Sequence, residues 1–70
     1  MMLTETENKI ILAYASSNMN AVATGRVLHY SNVTINYHLD RIHDKTGLDP
    51  RRFYDLIKLV QECGEHGDEE

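Results

Sequence analysis

The groups in this sequence best suited to chemistry are concentrated between Ser31 and Arg41, where two hydroxyls, two amides, a phenol, an imidazole and a guanidinium follow one another. They suit hydrogen-bonded recognition of a polar partner better than bond breaking. No nucleophile stands beside a base, no carboxylates are paired, and no glycine-rich loop is present to cradle a phosphate. His38 and His43 lie five residues apart, about 140° around a helix, so they cannot grip one metal ion from a single face. Cys63-x-x-His66 lacks a second ligand pair, and Cys63 reads as a free thiol. The expectation is a binding protein that is not an enzyme and has no cofactor and no metal.

The formal net charge of −4 weighs against a polyanionic partner until its distribution is considered. Five of the eleven acids, Glu62, Glu65, Asp68, Glu69 and Glu70, crowd the end of the chain, leaving seven basic residues and six acids before them. Between Glu7 and Asp40 there is no Asp or Glu, and the only full charges are Lys9 and Arg26, which His29 and His38 can supplement. Such a stretch suits a surface that approaches phosphates. A composition of 41% apolar and 26% charged residues describes a compact domain, and 70 residues allow one small core. The single cysteine permits no intramolecular disulfide, the acidic start MMLTETENK does not read as a signal peptide, and no apolar run is long enough to span a bilayer. A cytoplasmic location is expected.

Periodicity predicts an all-α fold of four helices, over residues 4–17, 21–28, 32–46 and 50–63, forming one domain over 1–63 with an acidic, disordered tail over 64–70. Thr4-x-x-Glu7 can make a capping box, with Ile10, Ile11, Tyr14 and Ala15 as the buried face of the first helix. Asn20 is placed to cap the second and Ser31 the third, where Ile35, Leu39 and Ile42 make one apolar stripe. Gly47 should close the third helix in a left-handed conformation, with Lys45 favourable against its dipole. Asp49-Pro50 reads as the cap and first residue of the fourth helix, with Phe53, Leu56, Ile57 and Val60 as its core stripe and Gly64 as its end.

Two short helices joined by the turn His29-Tyr30-Ser31 are the parts of a helix-turn-helix. Close crossing needs small residues, and Ala23, Thr24 and Gly25 supply them; Gly25 gives up roughly 1 kcal/mol of helix propensity, as though a larger residue would clash. A helical wheel puts Val33, Asn36, Tyr37, Asp40, Arg41 and Asp44 on the outer face of the third helix, with Asn32 and Thr34 on its flanks. Its leading half suits base edges, and its acids come only after Tyr37. Asn32, Val33, Asn36 and Tyr37 are therefore the candidate base contacts in double-stranded DNA. Arg26, Ser31, Thr34, His38 and Arg41 are the candidate phosphate contacts. The alternative is a helical protein-interaction or dimerisation module without DNA binding. Leu12 and Leu59 point away from the expected core stripes and Tyr54 lies on the flank of the fourth helix, either as isolated exposed residues or as a homodimer face on the first and fourth helices.

Residues 11–60 resemble the C-terminal helix-turn-helix domain of the PucR (purine catabolism regulator) and sugar-diacid regulator type of bacterial transcription factors. That family reads approximately N-x-S-A-T-A-R-x-L-x-I-H-R-N-T-L-x-Y-R-L-x-R-I, then T-G-L-D. Asn20, Ala23, Thr24, Arg26, Leu28, Thr34, Tyr37, Leu39, Arg41, Ile42 and Thr46 to Asp49 stand at the matching places, with Ile35 for Leu. Ser31-Asn32-Val33 replaces His-Arg-Asn, and His38 replaces an Arg. The resemblance implies a DNA-binding regulator domain, and the missing cations imply weak binding with altered base preference. It also implies an upstream region that binds a small-molecule effector, so the chain is expected to be a domain excised from a larger regulator, a free-standing small protein being the alternative. A Fis-like helix-turn-helix is the alternative lineage; the capped helix expected after Thr46 argues against it.

Overall fold

The computed structural model describes residues 3–67, with side chains as far as Cys63. Among these residues the chain is all helical: α1 (Glu5–Ser16), α2 (Ala21–Leu28), α3 (Asn32–Thr46) and α4 (Phe53–Gly67). None of these helices is long and apolar enough to cross a membrane.

The first three helices begin where their caps dictate. Thr4 Oγ1 accepts from the Glu7 N–H at 3.1 Å while Glu7 Oε1 accepts from the Thr4 N–H at 2.9 Å, so the capping box is complete. Asn20 Oδ1 accepts from the Ala23 N–H at 3.1 Å, and Ser31 Oγ from the Thr34 N–H at 3.2 Å. Glu7 also has a second role. It is 3% exposed, and Lys45 of α3 donates to both its oxygens at 2.9 and 3.2 Å. Burial alone would raise its pKa, but the Thr4 N–H and the Lys45 ammonium outweigh that and hold the carboxyl below its ordinary value. The start of α1 is thereby pinned to the end of α3.

Between α1 and α2 the chain turns through two successive left-handed residues, Asn18 (φ 58°) and Met19 (φ 61°). Asn tolerates this conformation. For Met19 it costs roughly 1–2 kcal/mol, which packing of its side chain against the core helps offset. Gly47 takes the expected left-handed position after α3, at φ 76°.

The core is built around α1 and α3. Ile10, Ile11, Ile35, Leu39 and Ile42 are fully buried, joined by Tyr14, Leu56, Leu59 and Cys63. Each fully buried aliphatic contributes about 1.5–3 kcal/mol. Ala15 is only partly buried against this cluster.

The fourth helix departs from the sequence reading in three respects. It starts at Phe53 rather than Pro50, because residues 49–52 form a turn: Asp49 Oδ1 accepts from the Arg51 N–H at 3.0 Å and the Asp49 carbonyl from the Arg52 N–H at 2.9 Å. Pro50 is buried, and Asp55 in the first turn reaches back to the Asp49 N–H at 3.0 Å. Its buried stripe is Leu56, Leu59 and Cys63, while Phe53 and Ile57 are 61% and 38% exposed. Leu59 therefore faces the core and cannot belong to an exposed dimer face. The helix also runs past Gly64, its expected end, to Gly67; residues 68–70 of the expected acidic tail lie outside the described part.

Candidate nucleic-acid interface

The geometry of the α2–α3 unit follows from one glycine and one left-handed residue. His29, at φ 65°, ends α2, and the Tyr30 N–H donates to the Gly25 carbonyl at 2.8 Å. This folds the turn back onto Gly25, so a Cβ at that position would run into the Tyr30 carbonyl oxygen. The expected clash is real, and its partner is the turn backbone. Thr24 is fully buried beside it, with its hydroxyl donating to the Asn20 carbonyl at 2.7 Å.

Once α3 is held by Ile35, Leu39 and Ile42, its outer side chains have determined positions. Val33 is 72% and Tyr37 56% exposed, and Arg41 continues the same line of i, i+4, i+8. The Arg41 guanidinium lies over the Tyr37 ring, 5.9 Å from its centroid. The opening turns of α3 are thus neither tucked into the interior nor covered by another helix. Asn32 and Arg26 are exposed and line one open concavity of about 630 Å³ with Val22, Gly25, His29 and Tyr30.

Other candidate residues are more constrained. Asn36 is half-buried with both ends of its amide engaged: Nδ2 donates to the Asn32 carbonyl at 2.9 Å, and Oδ1 accepts from Arg51 at 3.0 Å. One N–H of its amide and one lone pair of Oδ1 remain for a base edge. The Ser31 hydroxyl is occupied in capping, donating to Thr34 Oγ1 at 3.1 Å as well as accepting its N–H. Thr34 is half-buried and retains its own hydroxyl proton for an outside acceptor. His38 is half-buried against Tyr37, edge to face at 5.3 Å, and its Nδ1 is buried without a hydrogen-bond partner. Only its other ring nitrogen remains for a phosphate.

Arg51 is the residue missed by sequence reasoning. From the turn before α4 it reaches across α3, where Nη1 donates to Asp40 Oδ1 at 2.9 Å and Nη2 to Asn36 Oδ1 at 3.0 Å. A signal for it existed: Asp40 has Asn36 and Asp44 as its i±4 neighbours, so its own helix offers no cation there. Cys63, by contrast, faces inward, its Sγ 3.2 Å from Asn8 Oδ1, and burial followed by the nearby Glu62 charge pushes the thiol up.

No curated protein and no solved structure matches the chain. A family match does exist, to the PucR C-terminal helix-turn-helix domain, over residues 9–61, a span that runs from the first turns of α1 into α4 and includes the α2–turn–α3 unit. The chain belongs to the PucR C-terminal helix-turn-helix family.

Proposed function

We propose that this chain is the sequence-specific DNA-binding domain of a bacterial transcriptional regulator, with α3 as its major-groove reader. The observation that carries this reading is the open leading half of α3, where Val33 and Tyr37 stand exposed in a stretch with no acid between Glu7 and Asp40. Asn32, Val33, Asn36 and Tyr37 read bases; Arg26, Ser31, Thr34, His38 and Arg41 meet phosphates. Membership of the family supports the coarser reading, a DNA-binding regulator domain; a cytoplasmic location is part of the proposal. By the family's architecture, a small-molecule effector acts through an upstream region.

Titration with random-sequence duplex DNA at low and high salt tests this. Salt-sensitive binding is expected, and Arg26→Ala and Arg41→Ala should each weaken binding to every sequence and flatten the log–log salt slope by about 0.9. Truncating an assigned base contact should instead cost about 1–3 kcal/mol of discrimination. Absence of any duplex binding at millimolar protein would reject the reading. It would favour a protein-interaction module, for which the apolar groove of about 440 Å³ between α1 and α4, lined by Ala15, Met19, Phe53, Ile57 and Val60, is the candidate surface.

Two-fold symmetric operators favour two copies with reading helices about one turn of DNA, roughly 34 Å, apart. The homodimer is part of this proposal, built on the exposed apolar residues of α1 and α4: Leu12, Phe53, Tyr54 and Ile57. Sedimentation of the protein with and without a selected duplex should show two chains per duplex; one chain per duplex at saturation removes the dimer.

A further inference from the structure

Arg51 belongs to neither half of the helix-turn-helix, yet its guanidinium occupies the middle of the outer face of α3. It donates to Asp40 Oδ1 at 2.9 Å, to Asn36 Oδ1 at 3.0 Å and, more loosely, to the Asn36 carbonyl at 3.4 Å. Three observations make this more than an incidental surface pair. The first is position: Asn36 and Asp40 flank the line of Val33, Tyr37 and Arg41, so whatever approaches those side chains also meets Arg51. The second is charge. Asp40 is the first acid after the acid-free stretch, and it would repel a phosphate-rich partner unless a cation covered it. The third is donor geometry: the contacts at 2.9 and 3.0 Å need one N–H each from Nη1 and Nη2, and the 3.4 Å contact is loose enough to be given up, so the second Nη2–H and the adjacent Nε–H, parallel on one edge of the guanidinium, are left for a partner.

Two N–H donors of a planar fork match the O6 and N7 acceptors that guanine displays in the major groove. We propose that Arg51 is a guanine-specifying residue of this interface, supplied from the α3–α4 turn and aimed by Asp40 and Asn36. The proposal rests on the DNA-binding reading above. Asp40 and Asn36 act as positioning residues that hold the fork in one plane. The pair is solvent-accessible, with 38% and 68% of the Arg51 and Asp40 side chains exposed, so it is worth little to folding and its removal should leave the domain intact. The backbone supports the same placement, since the Asp49 carboxylate fixes the turn through the Arg51 N–H at 3.0 Å.

The test is selection from a pool of duplexes with a randomised core, using the full chain and the variants Arg51→Ala, Arg51→Lys and Asp40→Ala, with helicity of each checked by circular dichroism. The parent should enrich guanine at one position by roughly tenfold. Arg51→Ala and Arg51→Lys should both lose that enrichment, because lysine keeps the charge and lacks the fork. Asp40→Ala should blunt it as well while binding random duplex somewhat more tightly, a combination that simple loss of a charge pair in folding does not produce. If Arg51→Ala instead weakens all sequences alike and Arg51→Lys restores them, Arg51 is a phosphate contact and the proposal is overturned. It is equally overturned if neither variant changes the selected sequence. Failure of the parent to bind any duplex would reject the DNA-binding reading itself, which is a separate result.

Discussion

Gly25→Val should lower the melting temperature by about 10–20 °C, or prevent folding altogether. Two effects of opposite sign compete at this position. Removing glycine from a helix interior recovers a few tenths of a kcal/mol when valine replaces it. Against that, the new Cβ and its methyls meet the Tyr30 carbonyl, which is backbone and cannot swing aside as a side chain would. Overpacking of this kind costs about 1–3 kcal/mol, and the upper end applies because the turn is held by the Tyr30 N–H to Gly25 bond and by the Ser31 cap on α3. For a domain of this size each kcal/mol moves the melting point by about 4–8 °C. Gly25→Ala should fall between parent and valine, since the family pattern carries alanine at the matching place and the turn must shift to admit it. A calorimetric or circular dichroism melt decides the matter: a valine variant melting within 3 °C of the parent would mean the turn yields freely and does not set the α2–α3 geometry.

Val33→Glu should have the opposite profile, a healthy fold with lost DNA binding. Val33 is 72% exposed and sits in the first turn of α3, where a negative side chain complements the helix dipole by about 0.3–1 kcal/mol. Thermal stability should therefore hold or rise slightly. The same carboxylate would enter the groove beside two phosphate rows, and like-charge juxtaposition at an interface costs several kcal/mol. The expected result is a loss of about 30-fold or more in duplex affinity at low salt, shrinking as salt rises. Val33→Gln separates charge from shape and should lose far less. If Val33→Glu binds duplex as the parent does, α3 does not face DNA in the proposed manner.

The parts of this fold that were legible in the sequence are those decided locally. The caps at Thr4, Asn20 and Ser31, the left-handed Gly47 and the α3 stripe each involve residues within a turn or two of one another, and each stands where side-chain chemistry puts it. The fourth helix was misread because its cues compete. Asp49-Pro50 has the composition of a helix start, but the Asp49 carboxylate is spent on the adjacent turn. Its apolar residues, from Phe53 through Leu59 to Cys63, cover more of the helix circumference than α1 can bury, so tertiary packing alone chose Leu59 over Phe53 and Ile57. The candidate site was legible to a similar extent. Val33, Tyr37 and Arg41 emerge on one line as the wheel requires, whereas the engagement of Asn36 depends on an arginine fifteen residues away, which no periodicity can announce.

Lys45 is drawn inward to Glu7, so a cation near the end of α3 is withdrawn from service outside the domain. With two full charges, Arg26 and Arg41, assigned to phosphates, a doubling of ionic strength should loosen the proposed complex only about 3.5-fold, where a protein gripping eight phosphates would lose more than about 100-fold. On the proposed reading, such a domain would hold its operator loosely but steadily. Promoter occupancy should change little when the cell concentrates its solutes under osmotic stress, and control passes to whatever alters the number of copies bound.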